Sequence, residues 1–280
     1  MIRIIPRLDI KGPNLVKGIH LEGLRVLGDP KEFANFYYRS GADEIIFQDV
    51  VASLYQRNSL NEIIQQTVND IFIPITVGGG LRTLNDIKNV LRSGADKVSI
   101  NTEAINNPEF IKKAALEFGS STICVALEIS KQTNGEYLCF TDNGREHTGI
   151  NALEWAKKAE DLGAGELIIT SIDKEGTKKG MDISLIKKIS EIISIPIIAH
   201  GGLDDELSAL KAVQSGANAI CSASALHYNC LDEINNKSWS KNVEGNTEFI
   251  MNHIKIGSKP IMTIKLLKEF LNENGMECRL

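Results

Sequence analysis

Apolar positions along the chain gather into short, nearly unbroken runs, of which EIIFQDV at 44–50, IPITV at 73–77, ELIIT at 166–170 and IPIIA at 195–199 are the clearest. A run that is apolar at successive positions is a strand buried on both faces, as in a parallel sheet covered by helices. With the weaker runs included, the strand candidates are 2–10, 44–50, 71–77, 96–100, 122–128, 166–171, 195–199 and 218–222, and helical periodicity separates most of them. Eight such alternations over about 250 residues predict an α/β chain closed into a (β/α)8 (TIM) barrel. A doubly wound open sheet is the alternative.

The pattern repeats at its midpoint, which favours closure. Residues 73–102 and 195–224 align without a gap at an offset of 122, reading IPITVGGGLR then RSGADKVSINT in the first copy and IPIIAHGGLD then QSGANAICSAS in the second. Ser40-Gly41-Ala42-Asp43-Glu44 and Leu162-Gly163-Ala164-Gly165-Glu166 share that offset, and Leu8-Asp9-Ile10 matches Leu127-Glu128-Ile129 at 119. The chain reads as a duplicated half barrel. Each copy joins a strand, a Gly-rich turn, a helix and a second strand ending in small polar residues. Backbone N–H groups freed by glycine, beside a helix N-terminus, form a cradle for phosphate. One cradle is Gly79-Gly80 with Asn101-Thr102, and the other is Gly201-Gly202 with Ala223-Ser224. Two cradles at one barrel mouth predict a small-molecule substrate phosphorylated at both ends.

Composition narrows the classes. With 280 residues, 42% of them hydrophobic, the chain can bury one core, so residues 1–280 are expected to form a single domain with a polar insert at about 230–260 before the last helix. The insert reads as a surface excursion, with a lid or partner-docking segment built on Trp239, Phe249 and Ile250 as the alternative. A net charge of −5 offers no basic stripe, which argues against nucleic acid. The opening MIRIIPRLDI is already a strand and no apolar run is long enough to span a bilayer, so the expectation is a cytoplasmic protein with no membrane partner. Five cysteines without a CxxC spacing suggest neither disulfides nor zinc. No metal and no cofactor are expected.

Chemistry on this fold belongs at the carboxyl ends of the strands. Asp9 closes the first strand and Glu128 the fifth, placing two carboxylates across the ring of eight from each other. Facing carboxylates on a low-dielectric floor can hold opposite protonation states, one removing a proton while the other donates. A strand-end Asp otherwise caps loop N–H groups, and that reading competes evenly at Asp49. Lys17 follows the first strand, where it is either a solvated loop lysine or a group ordering that loop over phosphate.

RIIPRLDIK, LVKGI, GDP, GADEIIFQD, FIPITVGGGLRT, SGADKVSINT and TGINALEWAKKAEDLGAGELIITSIDKEGT resemble the cyclase subunit of imidazole glycerol phosphate synthase, the HisF family. The likeness runs almost without gaps through residue 228 and resumes at about 261. It implies a glutaminase (HisH-like) subunit docked on the N-terminal face, with ammonia passing through the barrel to the mouth. There ammonia reacts with phosphoribulosyl-formimino aminoimidazole carboxamide ribotide, giving imidazole glycerol phosphate and aminoimidazole carboxamide ribotide in histidine biosynthesis. By position, the resemblance makes Asp9 the general base and Glu128 the second catalytic carboxylate. Lys17, Thr76, Gly79, Gly80, Asn101, Thr102, Thr170, Asp173, Gly201, Gly202, Ala223 and Ser224 become substrate-binding residues. Arg3, Glu44, Lys97 and Glu166, all at strand N-termini, match a charged ring that gates ammonia; without the family they read as a salt-bridge ring for stability.

Three mouth positions depart from the family pattern. Arg7 replaces the usual Cys, His200 the usual Ser, and Glu128 the usual Asp. HisF-like paralogues in surface-polysaccharide gene clusters, which deliver ammonia to a sugar amidotransferase, are therefore the alternative to a cyclase. A non-catalytic effector-binding barrel would leave the two opposed carboxylates without a purpose.

Overall fold

The structure, a computed structural model, describes residues 1–52, 60–235 and 262–280. Its strands in chain order are β1 (Arg3–Lys11), β2 (Asn14–Ile19), β3 (Glu22–Gly28), β4 (Ile45–Asp49), β5 (Ile75–Gly78), β6 (Lys97–Ile100), β7 (Ile123–Lys131), β8 (Tyr137–Thr141), β9 (Glu146–Asn151), β10 (Glu166–Ser171), β11 (Ile197–His200) and β12 (Ala219–Ser222). Eight of them, β1, β4, β5, β6, β7, β10, β11 and β12, pair in parallel around a ring that the β7–β10 and β12–β1 ladders close. The fold is the (β/α)8 barrel, not the open sheet. All eight strand candidates are realised. β5 and β11 begin after Pro74 and Pro196, because proline has no N–H to give a central ladder.

The helices are α1 (Pro30–Arg39), α2 (Asn61–Thr67), α3 (Leu84–Arg92), α4 (Thr102–Asn106), α5 (Glu109–Phe118), α6 (Ala152–Asp161), α7 (Ile183–Ser190), α8 (Glu206–Gln214), α9 (Ser224–Asn235) and α10 (Ile264–Glu273). Their starts are written in the sequence: Asp29 caps α1 ahead of Pro30, Thr83 and Asp86 form a reciprocal capping box on α3, and Asp205 caps α8. Among the described residues no helix is long and apolar enough to cross a membrane. The polar insert expected at about 230–260 lies outside the described residues, except for 230–235, which end α9.

The half-barrel repeat extends to backbone geometry. Gly79 and Gly201 adopt φ of +105° and +101°, and Gly94 and Gly216 adopt +112° and +108°. Asp96 accepts a hydrogen bond from Ile75 N at 2.8 Å as Asn218 does from Ile197 N at 2.9 Å. Equivalent residues thus brace equivalent strand starts.

Two hairpins were not anticipated. β2 and β3 form an antiparallel pair folded back over the mouth, and β8 and β9 extend from the long β7. The second had a legible signal: Asp142-Asn143-Gly144, at φ of 52°, 60° and 77°, is a left-handed turn between alternating segments. The first turns at His20 and Leu21, also at positive φ, without the Asn or Gly that usually announces such a turn.

Side chains alternate across each strand, so the barrel has two cores. Outward residues such as Leu8, Ile45, Phe47 and Leu127 pack with the helices in the main cluster. Inward residues Ile5, Ile46, Cys124, Ile168, Ile198, Ala219 and Cys221 form a separate apolar layer inside the ring. On β1 the inward series is Arg3, Ile5, Arg7 and Asp9. It runs from a charged floor through this apolar layer to a charged mouth.

Candidate active site

At the floor, Arg3 donates to Glu44 at 2.8 Å and also to Glu166, while Lys97 bridges the same two carboxylates at 2.9 and 3.0 Å. All four expected ring members meet. Burial works against the Arg3 and Lys97 cations, but both are raised above their ordinary values by the two carboxylates between them. Thr76, expected among the substrate-binding residues, belongs here instead. It lies near the N-terminal end of the short β5, beside Lys97 in register, and its hydroxyl donates to Glu44 at 2.5 Å.

At the mouth, Asp9 is 2% exposed, and both carboxylate oxygens face cations: Arg7 Nε at 2.7 Å and Lys17 Nζ at 3.5 Å. Burial alone would raise its pKa, yet Arg7 and then Lys17 bring it down to about 2. Glu128 stands on the opposite side of the ring. Its Oε2 accepts from Asn101 Nδ2 at 2.9 Å and from Gly144 N at 2.8 Å. Burial outweighs these donors and the Arg7 charge, lifting the carboxyl to about 7. One carboxylate is thus a fixed anion and the other exchanges its proton near neutrality.

Lys17 is fully buried, pairs with Glu175 as well as Asp9, and is raised by both despite the opposing effect of burial. It therefore orders the β2–β3 hairpin. Glu175 holds the same hairpin through Leu21 N, and Asn143 holds it through Leu21 O at 3.1 Å. Sequence reasoning did not single out Glu175 or Asn143; their roles depend on one loop crossing another. His200 shares a hydrogen bond with Thr170 at 3.2 Å, and burial, then Arg7, push its pKa well below the ordinary value, so it is neutral. His227 lies between Arg7 O at 2.9 Å and the Tyr37 hydroxyl at 2.6 Å, with burial lowering its pKa to about 3. A neutral ring must donate from Nε2 to the carbonyl and accept from Tyr37 at Nδ1.

Gly79, Gly80, Asn101 and Thr102 line one cavity of about 310 Å³ together with Arg7 and Glu128. Glycine is required at this turn, since a Cβ on Gly79 would sit 2.3 Å from Asp49 O. The second cradle is arranged differently. Gly201, Gly202, Ala223 and Ser224 are all buried, and residues 174–180 pack directly on Gly202, where a Cβ would lie 2.3 Å from Gly180 O. A neighbouring cavity of about 600 Å³ opens between that segment and the hairpin, with Lys17, Arg25, Lys178 and Lys179 in its walls. Asp173 is exposed, and its oxygens accept from Ser130 Oγ and Lys131 N, so it braces the end of β7 rather than lining either cavity. Among the described residues no cluster of His, Cys, Asp and Glu could hold a metal, and the five cysteines are buried and form no disulfide.

A closed eight-stranded barrel with duplicated glycine cradles and two carboxylates across its mouth defines a (β/α)8 protein built on a half-barrel repeat. The family described as "Histidine biosynthesis protein" matches residues 3–232. The imidazole glycerol phosphate synthase subunit HisF of Legionella pneumophila is 55% identical over 202 residues, covering 72% of this chain and 95% of that protein. The subunit of the same name from Thermobifida fusca (strain YX) is 43% identical over 232 residues, covering 81% and 91%. The chain belongs to this HisF family of cyclase subunits.

Proposed function

We propose that the chain is the ammonia-dependent cyclase of imidazole glycerol phosphate synthase, acting in the cytoplasm on phosphoribulosyl-formimino aminoimidazole carboxamide ribotide. The observation that carries this reading is the pair of buried carboxylates opposed across one mouth, Asp9 held between Arg7 and Lys17 and Glu128 held by Asn101 and Gly144, beside a glycine cradle. Ring closure needs a proton removed and a proton delivered in one turnover. Asp9, ionised throughout the physiological range, is the base, and Glu128, still carrying a proton near neutrality, is the acid. Lys17 holds the hairpin over bound substrate, and the two cradles take its phosphates.

Ammonia enters through the floor ring from a glutaminase docked on the N-terminal face. Support for docking comes from apolar exposure. Phe72 and Leu116 are each 79% exposed, and Met1 is 72% exposed. These residues precede a barrel strand or end the preceding helix, so they lie toward the same face as the ring.

The second reading, a barrel that only passes ammonia onward to a sugar amidotransferase, is favoured by one observation: Arg7 and not Asp9 lines the first cavity. Steady-state ribotide consumption in excess ammonium, without a partner, separates the two. Wild type is expected to turn over, and Asp9→Asn to lose turnover while still binding phosphate ligands. Failure of wild type under conditions where an authentic cyclase works would overturn the cyclase reading.

A further inference from the structure

Three residues that line the first cavity carry buried polar atoms to which no other described residue is a partner. Arg7 is 3% exposed, its Nε is committed to Asp9, and its Nη2 is buried with no acceptor among the described residues. Asn101 Oδ1 and Asn143 Oδ1 are likewise buried without a donor. All three residues line this cavity. The orientation of both amides is set by their surroundings. Asn101 Nδ2 donates to Glu128 and to Phe140 O, and Asn143 Nδ2 donates to Leu21 O, so the oxygens are the free atoms.

Buried polar atoms without partners are rare in native proteins, and three on residues of one cavity call for a ligand or water that completes them. One charged donor and two amide acceptors complement a group that offers one acceptor oxygen and two N–H donors. That is a primary carboxamide. We propose that Arg7, Asn101 and Asn143 form a carboxamide-recognition subsite, with Arg7 Nη2 donating to the carboxamide oxygen and the two Asn oxygens accepting from its NH2. The ligand half bearing the aminoimidazole carboxamide then occupies this cavity, with its phosphate at Gly79-Gly80. This rests on the cyclase reading, which supplies a substrate carrying that group. It also gives Arg7 a substrate contact in addition to its contact with Asp9.

The test compares binding of aminoimidazole carboxamide ribotide with aminoimidazole ribotide, which keeps the ring and phosphate but lacks the carboxamide. Wild type should prefer the former by at least about tenfold, the value of a hydrogen bond to a charged group. Arg7→Gln and Asn143→Ala should each reduce that preference severalfold, the ratio of the two affinities being the readout whatever happens to the affinity for aminoimidazole ribotide itself. Arg7→Lys, which keeps the charge but not the planar donor, should fall between wild type and Arg7→Gln. If Arg7 serves only as the counter-ion of Asp9, Arg7→Gln will shift the acid limb of the pH–rate profile without touching this preference. Equal binding of the two ribotides by a wild type that still cyclises substrate would overturn the subsite alone. A wild type that binds neither and turns over nothing would overturn the cyclase reading with it.

Discussion

Replacing Glu128 by Gln separates the proton chemistry of this side chain from its packing. Burial lifts the carboxyl to about 7 in the folded chain, against about 4.3 for an unfolded glutamate. The folded state therefore holds this proton more tightly than the unfolded state. The stability it contributes is fully present below about pH 4.3 and is lost as pH rises through about 7. At roughly 1.36 kcal/mol per pKa unit, ionising Glu128 in place at pH 8.5 costs on the order of 4 kcal/mol. Gln has the same shape, stays neutral, and can accept from Asn101 and Gly144 as Glu128 does. The two proteins should unfold at the same midpoint near pH 4.5, and the variant should be more stable by on the order of 4 kcal/mol at pH 8.5, a gain of several degrees in Tm. Ribotide turnover should meanwhile fall by at least about a hundredfold. Unfolding midpoints of both proteins between pH 4.5 and 8.5 provide the assay. A constant offset across that range would refute the reasoning, because it would mean that the carboxyl titrates alike in both states.

With Asp9 held ionised and Glu128 as proton donor, kcat/KM at saturating free ammonia should decline as pH rises through about 7, and residual activity in Glu128→Gln should lack that limb. A rising limb there would make Glu128 the base. Gly79→Ala forces a Cβ to 2.3 Å from Asp49 O at a φ of +105°, so KM for the ribotide should rise strongly in steady-state assays. An unchanged KM would remove this turn from phosphate binding. Glu44→Gln weakens the hold on Arg3, Lys97 and Thr76 together, and should lower stability by about 2–3 kcal/mol in denaturant titrations. With a glutaminase present it should reduce glutamine-driven turnover more than ammonium-driven turnover, and equal losses would argue against a gate.

The barrel was legible in the sequence because β/α units leave a local record. Strands buried on both faces must be apolar throughout, and Asp29-Pro30, Thr83 with Asp86, and Asp205 state where helices begin. The repeat placed Gly79-Gly80 and Gly201-Gly202 in equivalent turns, and the strand-end positions of Asp9 and Glu128 placed them across the mouth. The limits appear at Thr76 and Asp173. Thr76 is only two residues from the Gly-rich turn, but its hydroxyl is on the inward side of a four-residue strand at floor level. Asp173 follows the end of β10, yet it turns to Ser130 and Lys131 because β7 runs on past the rim to Lys131.

What the sequence alone determined is therefore the closed barrel, its duplicated cradles and the ring of residues at each end, since these follow from periodicity and from glycine, which depend on near neighbours. Only the tertiary structure decided how the charges are shared. Arg7 stands beside Asp9 on one strand, but Lys17 reaches Asp9 from a hairpin folded over the mouth, and Glu175 reaches Lys17 from a loop more than a hundred residues away in the chain. Glu128 meets Asn101 and Gly144 in the same way. A carboxyl's proton affinity is set by its burial and by the charges within a few ångströms. Those neighbours come from distant segments, so the division between a fixed anion at Asp9 and a proton-exchanging group at Glu128 exists only once the chain has folded.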